Sequence, residues 1–389
     1  MTNLKIGNVW ITARIIALLP LCGWAVLAVA RGGFWRTGIR LPSTANVTPA
    51  AWPSVAIVVP ARDEAAILPE TVPSLMAQDY PGPVRIFLVD DNSTDGTAEL
   101  LEQWPDVKVL HPGQPAPGWA GKLWALRAGV DAAGEVDYLL LTDADIRHRP
   151  SSLRLLVTSA IGGDYGLVSQ MARLRTRTGW ERLIVPAFVY FFALLFPFRW
   201  SNRPGARTAA AAGGCSLVRR DALVAAGGFE AIHQSVIDDV ALARAVKRAG
   251  ARTFLGLADH VESIRPYPSL TTLWRMVSRS AYSQLRRSPA LLAGTVLGLG
   301  LMFWVPPLAA VIGAVGGDAA VAALGIAAWL LMAALYVPML RYYRLPIVGS
   351  LALPFTATLY LGMTVDSGIQ HHRGRGAEWK GRTYSERVS

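Results

Sequence analysis

Carboxylate side chains stand at the ends of three short apolar runs in this chain of 389 residues. The acids at these run ends are Asp63, Glu64, Asp90, Asp91, Asp143 and Asp145. If the runs are neighbouring parallel strands, their carboxyl ends lie on one edge of the sheet, where ligands of such sheets bind. Carboxylates that converge on one edge repel one another. The pattern therefore predicts a cationic partner at that edge.

The apolar runs have the length and composition of strands that are buried on both faces. The predicted strands are 55–60, 84–90, 107–110 and 138–142. The predicted helices between them are at about 64–78, in "AELLEQW" and at 123–133. The turn-rich residues Asn92, Ser93 and Thr94 are predicted to cap the second of these helices. Strands that alternate with helices predict an α/β fold with a parallel sheet and right-handed crossovers.

The chain is too apolar for an ordinary soluble enzyme, with 52% hydrophobic and 17% charged residues and a mean hydropathy of +0.33. Arg14 is the only charge in Val9–Ala30, Asp318 is the only one in Pro289–Leu340, and 345–365 has none. About 20 such residues can cross a bilayer as a helix. Asp318, in "VGGDAA", is predicted to mark a turn between two spans. The sequence therefore predicts transmembrane helices at both ends of the chain.

The positive charge of +11 is typical of the cytoplasmic side of an inner-membrane protein. Arg31, Arg36 and Arg40 follow the first apolar run, whereas Lys5 alone precedes it. We therefore expect an outside N-terminus, a cytoplasmic central domain and a multi-pass protein of the cell inner membrane. No aromatic–basic motif favours nucleic acid as a partner. Cleavage of Val9–Ala30 as a signal peptide is the weaker alternative, because "AVARGG" is a poor cleavage site.

Four parts are expected along the chain: an anchor and linker at 1–40, an α/β domain at 41–288, transmembrane segments at 289–366 and a basic tail at 367–389. Three C-terminal spans would place that tail outside, against its Arg and Lys content. Either one C-terminal segment is re-entrant or interfacial, or the tail is an exception. Residues 182–200, rich in aromatic side chains, are predicted to be an interfacial helix or a buried core helix.

Ordered motifs between about residues 53 and 290 carry a family resemblance. They are "VVPARDE", "VDDNSTDGT", "GWAGKLWAL", "TDAD", "GGCSLVRRDALVAAGGF" and "IDDVALARAVKRAG". Together they resemble the family 2 glycosyltransferases, which implies the GT-A fold, a Rossmann-like mixed and mainly parallel sheet. "GWAGKLWAL" and the tail "RGRGAEWKGRTY" are most similar to the hopene-associated glycosyltransferase family.

The resemblance implies a membrane-bound inverting glycosyltransferase. Such an enzyme would move a sugar from a nucleotide-sugar donor, expected to be a UDP-sugar, to a lipid acceptor, in the context of hopanoid biosynthesis. A polyprenyl-phosphate glycosyltransferase is one alternative, and a non-catalytic subunit of a membrane complex is another. The motif Gln-x-x-Arg-Trp of processive members is not matched, because "MVSRS" at 276–280 retains only Arg279. This difference argues against processive polysaccharide synthesis.

The resemblance also implies roles for single residues. Asp143 and Asp145 form its Asp-x-Asp signature and would hold Mg²⁺ or Mn²⁺, which prefers oxygen ligands and can bridge two phosphates. Asp143 could instead contact ribose, and outside the motif context the pair could be a helix cap and a turn acid. The residues expected to bind the donor are Pro60, Arg62, Glu64, Asp91, Lys122, Asp143 and Arg279.

Asp239, with Asp238 beside it, is expected to be catalytic. An inverting transferase needs a base near the acceptor hydroxyl, and the base of the family is the second acid of this pair. The structural alternative is that Asp238 caps the helix Val240–Ala249 and that the helix dipole favours both acids there. Lys122 likewise has a structural alternative, as a solvated lysine in a loop before a helix.

Overall fold

The computed structural model describes residues 2–42, 47–374, 378–379 and 382–383. The chain forms two compact units. The helical unit comprises Met1–Thr37, Thr176–Pro197 and Tyr267–Gly374, and the sheet unit comprises Gly38–Arg175, Phe198–Pro266 and Arg375–Ser389. Each unit has its own packing and is described separately below.

The sheet unit is built on eight strands in the order β3-β2-β1-β4-β7-β6-β8-β5. The strands are β1 Val55–Ala61, β2 Val84–Asp90, β3 Val107–Leu110, β4 Tyr138–Thr142, β5 Ile146–His148, β6 Tyr165–Leu174, β7 Cys215–Arg219 and β8 Arg252–Ser263, with a separate pair β9 Glu378–Trp379 and β10 Arg382–Thr383. β3, β2, β1 and β4 run parallel, as do β6 and β8. β7 is antiparallel to both β4 and β6, and β5 is antiparallel to β8. The prediction of a mixed, mainly parallel sheet is confirmed.

Strand β1 is buried along its whole length, and this burial explains its unbroken apolar sequence. Ile57 and Val59 face one core cluster, and Ala56 and Val58 face the other, because successive side chains of a strand point to opposite faces. Pro60 interrupts a central strand without breaking the sheet. β4 pairs with β1 only as far as Val58, so the missing N–H of proline removes no bond to β4.

The helix predicted at 123–133 is confirmed, and the helices predicted at about 64–78 and in "AELLEQW" are present but shorter. They are α1 Thr2–Ala30, α2 Leu68–Met76, α3 Thr97–Leu101, α4 Gly121–Ala133, α5 Ser152–Gly163, α6 Gly179–Leu195, α7 Phe198–Ser201, α8 Arg220–Ala225, α9 Asp238–Arg248, α10 Leu270–Gln284, α11 Pro289–Leu299, α12 Val305–Gly316, α13 Ala319–Tyr342 and α14 Leu353–His372. A π-helical turn joins α11 to α12, and a 3₁₀ turn, Ile347–Ala352, precedes α14.

Four stretches of the helical unit are long and apolar enough to cross a membrane, within the described part of the chain. They are Val9–Ala30, Pro289–Gly316, Ala319–Tyr342 and Ile347–His372. The predicted turn at Asp318 is confirmed, because its Oδ1 accepts the backbone N–H of Val321 at 2.9 Å and caps α13.

Residues 182–200 lie mainly in α6, which belongs to the helical unit. A capping box of Thr178 and Glu181 fixes the start of this helix. The side chains of Ile184 and Tyr190 are fully buried, and Tyr360 donates its hydroxyl to the carbonyl of Ile184 at 2.9 Å. These contacts are those of a packed helix. An interfacial role for the remainder of the segment stays a prediction.

Candidate functional site

The loop after β1 is held by side chains of the loop after β2. The backbone N–H groups of Asp63 and Glu64 donate to Ser93 Oγ at 3.0 Å and to Thr97 Oγ1 at 2.9 Å. That of Ala65 donates to Asp95 Oδ2 at 3.1 Å. The motif "DNSTDGT" therefore fixes the position of the loop after β1, which carries Asp63 and Glu64.

The prediction that Asn92, Ser93 and Thr94 cap the following helix is wrong. α3 begins later, at Thr97, and its N-cap residue is Gly96 at φ +87°. A left-handed conformation of this kind favours glycine. The polar side chains before Gly96 bond within and between the loops instead, as when the backbone N–H of Thr94 donates to Asp63 Oδ1 at 2.8 Å.

Replacing Thr97 with valine is expected to destabilise the sheet unit by about 1–3 kcal/mol, because it leaves the backbone N–H of Glu64 without its acceptor. Thr97 is fully buried, and valine conserves its shape. Thermal unfolding of the purified protein measures the change. Thr94→Val is the matched control, since Thr94 is exposed and bonds Asp63 more closely through its backbone N–H. Equal unfolding temperatures for the two variants would contradict this interpretation of the motif.

Asp91 and Asp90 differ in their surroundings. Asp91 is fully buried, and Arg62 Nη1 donates to its carbonyl at 2.6 Å and lies 3.7 Å from its Oδ2. Asp90 Oδ1 accepts the backbone N–H of Ser93 at 3.2 Å, and its Oδ2 lies 3.3 Å from His111 Nδ1. Asp90 is thus bonded to its own loop and to His111, which follows β3, and the role of Asp91 and Arg62 in donor binding stays a prediction.

Asp145 is held by three consecutive residues at the end of β8. Ser263 Oγ donates to its Oδ2 at 2.5 Å, and Arg265 Nε lies 3.5 Å from the same oxygen. The backbone N–H of Ile264 donates to the carbonyl of Asp145 at 3.0 Å. Arg265 Nη2 also bonds Glu64 Oε1 at 2.6 Å. The guanidinium therefore joins the acids at the ends of β1 and β4.

Lys122 lies between the Asp-x-Asp motif and the second acidic pair. Its Nζ is 2.8 Å from Asp143 Oδ1 and 3.1 Å from Asp238 Oδ2. It stands in the first turn of α4 rather than in the preceding loop. Burial lowers the pKa of Lys122, but the charges of the three neighbouring acids (Asp143, Asp238 and Asp239) raise it more, so the ammonium stays charged.

Asp143 is held less firmly than Asp145, with a third of its side chain exposed. Burial and the charge of Asp145 raise the pKa of Asp143, and Lys122 opposes them. The ammonium of Lys122 thus partly offsets the repulsion between the carboxylates of Asp143 and Asp145.

Asp239 accepts two backbone N–H groups, from Gly213 to Oδ2 at 2.9 Å and from Val240 to Oδ1 at 2.7 Å. α9 begins at Asp238, and Ile237 precedes it without a side-chain cap, so Asp238 is not the helix cap. Burial, and next the charge of Asp238, raise the pKa of Asp239 to about 7. A carboxyl with such a pKa is suited to proton transfer near neutral pH.

Gly213 occupies the centre of this cluster. A methyl group in place of its hydrogen would lie 3.1 Å from Lys122 Nζ, 3.6 Å from Asp239 Oδ2 and 3.8 Å from Asp143 Oδ2. The cleft here encloses about 340 Å³, including space open to solvent. Its polar wall includes Lys122, Asp143, Gly213, Asp238 and Asp239, and its apolar wall includes Phe229, Ile232 and Leu242. Residues from four of the motifs thus share one cleft.

Replacing Gly213 with alanine is expected to lower turnover about tenfold, because the new methyl must displace the ammonium of Lys122. Steady-state kinetics measures the effect once a donor is known. Gly205→Ala is the matched control, since a Cβ there meets no atom within 4 Å. Wild-type turnover in Gly213→Ala would show that the cleft has more room than these distances allow.

Sequence reasoning missed Ser263 and Arg265. Their signal was weak: an arginine in "SIRPYP", directly after a long strand. Pro60 and Glu64 lie on β1 and the loop after it, as predicted. Arg279 lies on α10, in the helical unit, and its role in donor binding stays a prediction.

The donor set suits a hard divalent cation. Asp143 and Asp145 supply carboxylate oxygens, and no group of three or more His, Cys, Asp and Glu side chains among the described residues could hold a metal. Mg²⁺ commonly takes one or two carboxylates from the protein and the remaining ligands from substrate phosphates and water. The pair therefore fits Mg²⁺ or Mn²⁺ that is completed by a diphosphate.

A solved structure with a similar fold is the mannosyltransferase PcManGT from Pyrobaculum calidifontis, described in complex with GDP-Man and Mn²⁺. It superposes with a TM-score of 0.54 at 18% identity, over 93% of this chain and 99% of that one. This similarity concerns the fold, and it agrees with the predicted GT-A architecture.

Two curated relatives match parts of the chain. The beta-monoglucosyldiacylglycerol synthase of Synechocystis sp. is 28% identical over 211 residues, which are 51% of this chain and 41% of that protein. The 4,4'-diaponeurosporenoate glycosyltransferase of Staphylococcus haemolyticus is 31% identical over 120 residues, 30% of this chain and 31% of that protein. The chain thus spans less than half the length of these relatives. The family model described as Glycosyl transferase family 21 matches residues 16–387, so the chain belongs to glycosyl transferase family 21.

Proposed function

We propose that this protein is a membrane-bound inverting glycosyltransferase that moves a sugar from a nucleotide-sugar donor to a lipid acceptor. One observation carries the proposal: Asp143, Lys122 and Asp239, from three separate motifs, line one cleft. A metal-binding carboxylate, a cation and a carboxyl with a pKa of about 7 are the groups that the transfer requires.

The donor side consists of the Asp-x-Asp motif and its cations. Asp143 and Asp145 would hold Mg²⁺ or Mn²⁺. When bound, this ion supplies Lewis-acid neutralisation of the diphosphate leaving group. Lys122 would add positive charge beside the same phosphates. Asp91 with Arg62, and Pro60 with Glu64, would border the base and ribose, and Arg279 is proposed as a further diphosphate ligand.

The acceptor side consists of Asp239 with Asp238 beside it. In a single displacement, the acceptor hydroxyl oxygen bonds the anomeric carbon as the bond from that carbon to the diphosphate oxygen breaks. Asp239 takes the hydroxyl proton, and the nucleoside diphosphate leaves with the bonding electrons. The N–H groups of Gly213 and Val240 fix the orientation of the Asp239 carboxylate for this role.

A lipid acceptor is supported by the apolar helices and by the Synechocystis relative, whose name is that of a glucosyldiacylglycerol synthase. The resemblance to the hopene-associated family supports a hopanoid context and a UDP-linked donor. The excess of arginine after α1 supports a cell inner-membrane location with the sheet unit in the cytoplasm.

The test is a two-step screen with the purified full-length protein. Hydrolysis of a panel of UDP- and GDP-sugars with Mn²⁺ identifies the donor, and lipid extracts are then supplied as acceptors. We expect one UDP-sugar to label a neutral lipid. Labelling of a polyprenyl phosphate would instead support the alternative acceptor class. The absence of both hydrolysis and lipid labelling with every donor tested would contradict the proposal.

A further inference from the structure

Asp145 is held in place by several contacts from one segment of the chain. Three consecutive residues at the end of β8 contact it, and its side chain is 13% exposed. Both side-chain contacts, from Ser263 and Arg265, reach Oδ2. The carboxylate is therefore fixed through one oxygen, and Oδ1 faces no side-chain donor among the described residues.

Arg265 is itself held from the opposite side. Its Nη2 is 2.6 Å from Glu64 Oε1, and the side chain of Glu64 is 6% exposed. The backbone of Glu64 is in turn bonded to the buried Thr97. A continuous series of contacts thus runs from the loop after β2, through Glu64 and Arg265, to Asp145.

We propose that Arg265 is a positioning residue that presents Asp145 Oδ1 to the divalent cation, with Ser263 in a supporting role. The inference rests on the proposed function. Partners that orient a metal ligand through its second atom typically change metal affinity about 10–100-fold when removed. Arginine suits this place because its planar guanidinium can contact two carboxylates at once.

The test measures Mn²⁺ affinity rather than turnover. The full-length protein, purified in detergent with UDP present, is titrated with Mn²⁺, and the free ion is followed by electron paramagnetic resonance. We expect Arg265→Gln to weaken Mn²⁺ binding about 10–100-fold. Arg265→Lys should give an intermediate affinity, because lysine keeps the positive charge but lacks the planar guanidinium that contacts two carboxylates at once.

Arg147→Gln is the matched control. Arg147 is also an arginine bonded to glutamates, Glu70 and Glu262, two residues beyond Asp145. It should bind Mn²⁺ as the wild type does. Equal affinities for Arg265→Gln and Arg147→Gln would overturn the positioning role alone. No Mn²⁺ binding by the wild type would overturn this role together with the metal-dependent function.

A second inference concerns the helical unit and rests on different contacts. α11, the π turn and α12 form a hairpin with α13, in which Gly325 packs against the backbone of Pro306 and Ala309. Helices of 28 and 24 residues are about 42 and 36 Å long, enough to cross a bilayer. The hairpin therefore has a turn end, at Asp318, and an open end, at Pro289 and Tyr342.

α1 runs from the turn end to the open end. Near the start of its apolar stretch Val9–Ala30, Arg14 Nη2 bonds Asp318 Oδ2 at 2.8 Å, and further along Trp24 Nε1 donates to the carbonyl of Met302 at 2.8 Å. Its last turn leads to Arg31, whose guanidinium donates to the carbonyl of Leu194 at 3.0 Å.

Both ends of the last apolar segment lie at the open end of the hairpin. The segment starts where α13 stops, with the N–H of Leu345 bonded to the carbonyl of Leu340. It finishes beside Tyr282, which lies in α10, the helix before α11. The hydroxyl oxygen of Tyr282 lies 3.2 Å from His372 Nε2, and its backbone N–H donates to Ser367 Oγ.

Between these ends the segment rises to the middle of the hairpin and returns. Trp329 Nε1, in the first half of α13, donates to the carbonyl of Leu351 at 3.1 Å. On the way back, Trp304 Nε1 donates to Thr358 Oγ1 at 2.6 Å. The rising leg exposes the apolar side chains of Ile347, Val348 and Leu351, and the start of the returning leg exposes that of Phe355, all of them suited to lipid.

We propose that residues 346–372 form a re-entrant helix, so that the chain crosses the membrane three times and the basic tail lies on the same side as Arg31. Basic residues gather at the open end of the hairpin, as the positive-inside rule requires of a cytoplasmic face. They are Arg31, Arg36, Arg286, Arg287, Arg341, Arg344 and Arg373. With three crossings the tail lies on the cytoplasmic side, so its position no longer conflicts with its Arg and Lys content.

Single cysteines in a Cys22→Ser, Cys215→Ser background test this topology. An impermeant maleimide is applied to membrane vesicles of known orientation that carry Gly38→Cys, Ala319→Cys or Ser389→Cys. We expect positions 38 and 389 to label from one side and position 319 from the other. Labelling of 389 together with 319 would show that the last segment crosses, and labelling of 319 together with 38 would show that the hairpin does not.

Discussion

Replacing Asp239 with asparagine is expected to lower the rate of sugar transfer about 1,000-fold, because the acceptor hydroxyl loses its base. Asparagine conserves the shape of the side chain and an oxygen for the N–H of Gly213 or Val240. Nucleotide-sugar binding should stay within about twofold of wild type, since a base acts on the acceptor. Transfer of labelled sugar to lipid, and donor binding measured in parallel, give the two quantities.

Asp131→Asn is the matched control for Asp239→Asn, since Asp131 is an exposed acid on α4 outside the cleft. It should transfer sugar at the wild-type rate. If Asp239→Asn retained more than about a tenth of the wild-type rate, the assignment of the base would be wrong.

The pH dependence of transfer follows from the same carboxyl. Because the pKa of Asp239 is raised to about 7, the protonated form dominates below that pH and cannot accept a proton. The rate should therefore rise with pH through about 7 and then level off. Asp238→Asn should shift this rise to lower pH, because the charge of Asp238 raises the pKa of Asp239.

Replacing Lys122 with methionine is the second change with a large expected effect. Lys122 contacts Asp143 and Asp238 at once, and its loss leaves the acids of the cleft without this cation. We expect transfer at pH 7 to fall about 100-fold, the size typical of a lost charge-stabilising donor. The rise of rate with pH should also move to higher pH, because Lys122 lowers the pKa of Asp239.

Lys108→Met provides the comparison for Lys122→Met. Lys108 is exposed on β3 and lies over the ring of Phe87, 5.8 Å from its centroid. Its replacement should leave both the rate and the pH profile unchanged. A normal pH profile in Lys122→Met would mean that the ammonium does not act on Asp239.

The sequence predicted the strands closely, because their signal is local. β2, β3 and β4 begin and end where the apolar runs do, and the carboxyl ends of β2 and β4 carry the predicted acids. The convergence of these ends follows from parallel pairing of β2, β1 and β4. Repeated motifs at strand ends are thus sufficient to place one edge of the site.

The missing parts of the site depend on contacts between distant residues. Ser263 and Arg265 reach Asp145 only because β8 pairs with β5, which follows the Asp-x-Asp motif. Gly213 matters because of the space between Lys122 and Asp239, and no property of a glycine in a sequence shows that space. The sequence raised a re-entrant C-terminal segment as an alternative without showing which segment it is, because a re-entrant segment has the same apolar composition as a span; the proposal for residues 346–372 rests on contacts such as that of Trp329 with Leu351.

The most direct test of the proposed site is the metal dependence of donor binding. Radiolabelled UDP-sugar is bound to the purified full-length protein with Mn²⁺ or with EDTA, for the wild type and for Asp145→Ala. The predicted result is saturable binding by the wild type that needs Mn²⁺ and is lost in Asp145→Ala. Binding that is equal in the variant, or that is indifferent to EDTA, would contradict the assignment of Asp143 and Asp145 as the metal site of a nucleotide-sugar transferase.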